Sequence, residues 1–212
     1  MKGRFVVLEG IDGCGKTTQL SHLAAWLPSS GLMSKEANVM LTREPGGTSL
    51  GLALRELLLH PPGEAAPEPL AELFLYAADR AQHVDQVIRP ALARGDWILS
   101  DRFSGSTLAY QGYGRQLTHT VIEQLEGLAT TGLAPDLTFL LELSVPESLE
   151  RRSFKTQDRI EAEGVEFLNR VAFGFESLAT ERNWNVIDAS QPPCKVTEDL
   201  KQALKLFCLR SK

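Results

Sequence analysis

The chain has 212 residues, a formal net charge of −5, 43% hydrophobic and 23% charged residues. That composition belongs to a globular domain whose core is large enough to need neither disulfides nor metals. Its acidic balance excludes a dedicated nucleic-acid binder, whose domain is basic, and no run of residues approaches the length of a membrane span.

Short apolar runs alternate with longer amphipathic stretches, the pattern of a parallel α/β sheet. Phe5–Leu8 reads as a buried strand, followed by a helix from about Gly15 that ends before Pro28. Asn38–Leu41 is a second strand and Leu50–Leu59 a helix stopped by Pro61-Pro62, with a loop from Gly63 to Pro69. A long helix is predicted from Leu70 to Ala93, kinked at Pro90 and stopped by Gly95. Trp97–Ser100, Leu137–Leu141 and Trp184–Ile187 are the third, fourth and fifth strands. Helices are predicted near Thr120–Ala129, Glu161–Glu181 and Thr197–Leu206. With no repeat or linker, residues 1–212 read as one doubly wound domain, whose ligands sit beyond the C-terminal strand ends.

Cys14, Cys194 and Cys208 are far apart and odd in number, so the chain reads as a reduced, cytoplasmic protein. The apolar stretch near Met1 is too short for a signal peptide.

The first strand runs into Gly10-Ile11-Asp12-Gly13-Cys14-Gly15-Lys16-Thr17, followed by Thr18. This is a full G-x-x-x-x-G-K-T. Glycines let main-chain N–H groups turn inward onto phosphate, and the next helix points its positive end at the same oxygens. Lys16 suits β/γ-phosphate charge and the Thr17 hydroxyl suits Mg²⁺. A chance glycine-rich turn is the bland alternative, but it would not need a strand before and a helix after. The loop predicts ATP binding without saying what is done with it. No N-K-x-D element occurs, which argues against a GTPase.

Four further clusters fall at predicted strand ends or on crevice-facing helices. Arg43-Glu44-Pro45-Gly46-Gly47-Thr48 follows the second strand, with Arg55 on the next helix; alone it would pass for an ordinary turn. Tyr76 and Arg80 share one helix face, an arrangement that serves a stacked base or a core aromatic beside an exposed cation. Asp101-Arg102-Phe103 ends the third strand, where a carboxylate suits Mg²⁺ and an arginine suits two phosphates. Ser106, Thr107, Tyr110 and Gln111 follow on a helix rich in hydrogen-bonding groups. Arg151, Arg152, Lys155 and Arg159 make a basic run read as a small mobile lid at about 151–160, able to close over a transferring phosphoryl group and exclude water.

In order and spacing these clusters resemble the bacterial thymidylate kinases over essentially the whole chain. The R-E-P-G-G-T and A-A-D-R-A-Q-H segments are far more specific than the phosphate loop. The resemblance implies a P-loop NTPase fold, three layers α/β/α around a five-stranded parallel sheet, and transfer of phosphoryl from ATP to dTMP with Mg²⁺. It implies that Asp12 faces the acceptor's sugar and phosphate and that Arg43 and Arg102 grip that phosphate. By the same resemblance Arg80 and Gln111 read the pyrimidine edge with Thr107 and Ser106 nearby, Tyr76 stacks on the base, and Arg55 is a further contact. Asp101 stands near the metal, and the lid supplies a catalytic cation from Arg151, Arg152 or Lys155. A homodimer is implied as well. Tyr76 stands where Phe is usual, Phe103 where Tyr is common, and Lys155 where an Arg is expected.

Two rivals remain open at this point. A deoxynucleoside kinase would phosphorylate a sugar hydroxyl and have no use for arginines around an acceptor phosphate. A P-loop switch would bind nucleotide without a small-molecule acceptor. Cys14 leaves two readings: a small residue tolerated in the loop, which is the favoured one, or a thiol whose pKa is lowered at the helix N-terminus and whose oxidation blocks the phosphate site.

Overall fold

The computed structural model describes residues 3–63, 66–154 and 158–210. Five strands, β1 (Arg4–Glu9), β2 (Val39–Arg43), β3 (Trp97–Asp101), β4 (Leu137–Glu142) and β5 (Asn185–Asp188), form one sheet in the order β2-β3-β1-β4-β5. Every neighbouring pair is parallel, as near-continuous apolar runs demand when both faces are covered. The expected three-layer α/β/α fold is the one observed. Trp184, expected in the last strand, precedes it and packs its ring beside Gly105.

Alternation along the strands divides the core. Val6, Leu8, Trp97 and Leu99 face α1 (Lys16–Trp26) and α9 (Pro193–Arg210), meeting Leu23, Leu200 and Leu204. Phe5, Val7 and Ile98 face the other way, against Val84, Ile88 and Ala91. Beside them Leu140 joins a second cluster with Leu73, Tyr110, Phe167 and Phe175. That opposite layer holds α3 (Pro69–His83), α4 (Arg89–Arg94), α5 (Ser104–Thr107), α6 (His119–Thr130) and α8 (Val165–Glu181). Phe5 through Leu8 are 0% exposed, and each such side chain contributes about 1.5–3 kcal/mol of burial free energy.

The long helix reaches Arg94 as expected but not as one α-helix. From Val84 to Ile88 it widens to a π-helix, with Arg89 N–H bonded to Val84 O. Pro90 has no N–H for the regular ladder, and the wider turn ahead of it absorbs that gap. Gly95 then ends the helix at φ 86°. A second π-segment, Leu108–Gly114, extends α5. The helix α2 (Ser49–Leu59) starts where Thr48 accepts a hydrogen bond from Gly51 N–H at 2.9 Å.

One helix was not expected. α7 (Val145–Arg152) opens with a capping box in which Ser144 and Glu147 each satisfy the other's backbone. Arg151 and Arg152 are therefore its last turn, placed by a helix rather than by a loop. The predicted basic run breaks there, and Lys155 lies outside the described residues, as do residues 64–65 of the predicted Gly63–Pro69 loop.

The register sets Leu8 beside Asp101 and Asp101 beside Arg43, so the ends of β1, β3 and β2 meet at one edge. From there β1 feeds α1 on one face and β3 feeds α5 on the other. The chain opens a crevice between them.

Candidate active site

The loop between β1 and α1 builds one half of the crevice. Gly13 sits at φ 82°, where a Cβ would meet Ser148 O at 3.1 Å and the Arg152 Cγ at 3.2 Å. Only glycine fits both the backbone angle and the gap. Gly15 caps α1 at φ 98° and no side chain caps that helix, which leaves its first N–H groups for a ligand. The Lys16 Nζ, buried, donates to Gly10 O at 2.9 Å and Ile11 O at 3.1 Å. Thr18 is exposed at the rim, whereas Ile11 and Cys14 turn their side chains into the two core clusters and offer a ligand only main chain.

Of the two readings of Cys14, the structure supports the small residue tolerated in the loop. Burial pushes its thiol pKa up, outweighing the opposing pull of Lys16 and Arg102. Desolvation of a thiolate on the core side of the loop exceeds the helix-terminus field. It is not an activated cysteine.

Thr17 Oγ1 donates to Asp101 Oδ2 at 2.8 Å. Both are oxygen donors at the mouth of the phosphate loop, and among the described residues no group of three or more His, Cys, Asp or Glu could hold a metal. Such a sparse set fits Mg²⁺, which keeps waters and substrate phosphates as its other ligands.

Arg102 forms the other half. Directly after β3 it adopts φ 75°, an uncommon left-handed angle for a side-chain-bearing residue. Its N–H to Leu8 O at 3.0 Å and the Ser100 hydroxyl on its carbonyl at 2.7 Å hold that turn. The guanidinium then donates to Asp12 Oδ1 at 2.7 Å, Gly10 O at 3.0 Å, Ser106 Oγ at 2.9 Å and the Tyr110 hydroxyl at 3.2 Å. The Tyr110 hydroxyl in turn donates a hydrogen bond to Asp12 Oδ2 at 2.9 Å. Burial works against ionised Asp12, yet Arg102 and Lys16 beside it hold its carboxyl well below the usual range. Burial likewise opposes the Arg102 charge, and Asp12 together with Tyr110, Asp101 and Glu9 outweighs it, so its pKa is raised.

Arg43 is exposed at the cleft and Arg55 bonds Pro45 O at 3.1 Å. Burial, then the nearby Arg43, pulls the Arg55 pKa down; two guanidinium groups crowded at one place are a site for an anion. Tyr76 is half-buried, and burial followed by the Glu72 charge raises its phenol pKa. Arg80 is 2% exposed, so it is no surface cation. Its Nε binds Glu44 Oε2 at 2.7 Å and its Nη1 binds Thr107 Oγ1 at 2.9 Å and Glu126 Oε1. Gln111 Nε2 donates to Glu72 at 2.7 Å. The hydroxyls of Ser106 and Thr107 thus hold arginines in place.

At the near end Arg151 donates to Ala189 O at 2.9 Å. Arg152 is buried beside Gly13, with Nη1 at 2.7 Å from Glu161 Oε1. The Glu161 carboxylate balances its charge, while the two terminal nitrogens stay short of hydrogen-bonding geometry.

These groups line a single cleft of about 400 Å³. It joins Asp12, Gly13, Gly15, Lys16, Thr17 and Thr18 to Arg43, Arg55, Tyr76, Arg80, Asp101, Arg102, Gln111 and Arg152.

The sequence model of the family described as "Thymidylate kinase" matches residues 8–200. The chain belongs to the thymidylate kinase family. With that family it belongs to the ATP-dependent nucleoside monophosphate kinases. It is 68% identical to a thymidylate kinase of Prochlorococcus marinus (strain MIT 9303) over 97% of this chain and 95% of that one. Against one of Synechococcus sp. (strain CC9902) identity is 62%, covering 97% and 98%. A crystal structure of thymidylate kinase from Ehrlichia chaffeensis superposes with a TM-score of 0.77 at 32% identity, covering 97% of this chain and all of that one.

Sequence reasoning passed over the carboxylates behind these family residues. Glu9, buried at the end of β1, accepts from Phe103 N–H at 3.0 Å and from the Ser106 N–H and hydroxyl at 3.1 and 2.6 Å. Burial raises its pKa, with Ser106 and Arg102 opposing. Glu44 accepts from His83 Nδ1 at 2.8 Å as well as from Arg80, while His83 Nε2 meets Thr42 Oγ1 at 2.6 Å. The one available signal was spacing: Arg80 and His83, three residues apart on a helix, share a face.

Proposed function

We propose that the protein phosphorylates dTMP to dTDP with ATP and Mg²⁺, a step in dTTP biosynthesis, by direct in-line transfer. The supporting observation is the single cleft in which a phosphate loop and a set of arginines face each other. An acceptor phosphate is already anionic at neutral pH, so no strong base is needed; positioning and charge stabilisation do the work. Lys16, Arg102 and Arg152 surround the transferring group, and the buried Arg152 is the cation best placed to meet the donor phosphates. Thr17 and Asp101 would hold Mg²⁺, which supplies charge neutralisation on the phosphates when bound. Arg43, Arg55 and Asp12 address the acceptor phosphate and sugar, while Tyr76, Arg80 and Gln111 address the base, supported by Ser106, Thr107 and Tyr110.

We read residues 1–212 as one domain whose segment 151–160 closes over the donor, acting in the cytoplasm on small molecules, without nucleic acid or membrane. No helix among the described residues is long and apolar enough to cross a membrane. The homodimer is part of this reading, supported by exposed Leu70 and Phe74 on α3 and Val121 and Leu128 on α6, two helices that pack together. Phe74→Glu should yield monomers in light scattering.

An acceptor panel with ATP and Mg²⁺, read by coupled ADP release, tests the activity. dTMP should be the best acceptor and thymidine inert. Preferred turnover of thymidine, or ADP release that ignores dTMP, would defeat the proposal.

A further inference from the structure

Glu72 lies on α3 one turn before Tyr76, with no exposed surface. Its carboxylate gathers donors from three directions: Gln111 Nε2 at 2.7 Å, Arg115 Nη2 at 3.1 Å, and Arg159 Nη2. Arg115 follows the π-segment that carries Gln111. Arg159 is itself fixed by its Nε on Leu58 O at 2.9 Å and its N–H on Leu59 O at 3.2 Å.

A carboxylate flanked by two guanidinium groups accepts hydrogen bonds and has none to give. The face that Gln111 turns toward it must therefore be the NH₂. That leaves Oε1, an acceptor, as the amide atom available to the cleft. Arg80 is constrained by the same logic, since Glu44, Thr107 and Glu126 occupy Nε and Nη1. Among the described residues its Nη2, a donor, is the nitrogen left over.

We infer that Glu72 is a positioning residue that fixes the polarity of base recognition. By capturing the Gln111 amide nitrogen it leaves one acceptor, on Gln111, and one donor, on Arg80, lining the same cleft. A keto pyrimidine offers the complement, N3–H and O4. Cytosine offers the reverse at both atoms, a bare N3 and an N4 amino group. A site built to satisfy one pattern leaves buried groups unpaired with the other, which is the strong form of discrimination. The inference rests on the proposed nucleotide-acceptor role of the cleft and deepens it.

The test compares kcat/KM for dTMP and dCMP in the wild-type enzyme, in Glu72→Gln, and in the charge-balanced Glu72→Gln/Arg115→Gln. A glutamine at 72 both donates and accepts, so the Gln111 amide is free to turn. The preference for dTMP over dCMP should fall by about tenfold or more, through KM for dTMP more than through kcat, with KM for ATP unchanged. A folded variant that keeps the wild-type ratio overturns the role of Glu72. The wild-type enzyme supplies a check that needs no variant. N3-methyl-dTMP, which lacks the donor, should be turned over at least about tenfold less efficiently than dTMP. Equal turnover overturns the inference. Absence of any dTMP turnover by the wild-type enzyme removes the acceptor reading itself, whereas turnover with an unchanged ratio removes only the claim on Glu72.

Discussion

Arg102 Nη2 lies 2.7 Å from Asp12 Oδ1, so the end of β3 is tied by an ion pair to the inside of the glycine-rich loop after β1. Tyr110 closes the triangle by bonding both partners. A guanidinium held on several sides at once is planar and pre-oriented, and an ammonium cannot copy it. Arg102→Lys should lower kcat/KM for dTMP by about 10- to 100-fold, whereas the melting temperature should stay near wild type. Steady-state kinetics with near-normal efficiency would show that the pair is structural only.

Lys16 is buried and directed across its own loop toward Gly10 O and Ile11 O. Its charge therefore lies at the mouth of the loop proposed to hold the donor phosphates. Lys16→Ala should reduce kcat by about 100-fold or more, the scale seen when one preorganised charge is removed from a transition state. Turnover within about threefold of wild type, roughly 0.65 kcal/mol of barrier, would end that assignment.

What could be read in the sequence and what could not divides along physical lines. Strands such as Phe5–Leu8 were visible because burial on both faces leaves an unbroken apolar run. The phosphate loop was visible because its glycines answer a local backbone demand at Gly13 and Gly15. Contacts of long sequence separation were not. Nothing near Glu72 announces Gln111, 39 residues away, or Arg159, 87 away. The same holds for Glu44 and Arg80, separated by 36 residues. Cys14 was ambiguous for the opposite reason: its local context at a helix start allowed activation, and the side of the sheet it faces decides against it. Helix α7 was missed although Ser144 and Glu147 spelled its capping box, because the basic residues after it drew attention to a loop.

Asp79 carries a buried Oδ2 with no hydrogen-bond partner, while its Oδ1 accepts from Gly46 N–H at 3.1 Å. Burial and the neighbouring Glu44 raise its pKa from 3.8 to about 6. A carboxyl with a folded pKa above its unfolded one binds its proton more tightly in the native state. Native stability therefore falls as pH rises from 3.8 to about 6 and stays reduced above it. Asp79→Asn keeps the acceptor for Gly46 and removes the charge. It should be more stable than wild type by about 1–3 kcal/mol at about pH 7.5, with the gap narrowing toward about pH 4.5. Urea unfolding at both pH values measures this, and a gap that does not change with pH rules out the titration.

Gly47 lies against the His83 ring, where a Cβ would come within 2.4 Å of Cδ2 and 2.5 Å of Nε2. That ring cannot step aside cheaply, because Glu44 holds its Nδ1 at 2.8 Å and Thr42 its Nε2 at 2.6 Å. An added methyl must therefore displace the loop that carries Arg43 and contacts Arg55, or break the bonds that orient Glu44 and, through it, Arg80. Gly47→Ala should cost about 1–3 kcal/mol of stability, the usual penalty for overpacking a filled site. The kinetic signature distinguishes this loop from an ordinary turn. KM for dTMP should rise several-fold or more while KM for ATP, whose proposed site is the loop after β1, stays within about twofold, near 0.4 kcal/mol. A parallel rise in both constants would place the damage in the fold as a whole instead of in the acceptor half of the cleft.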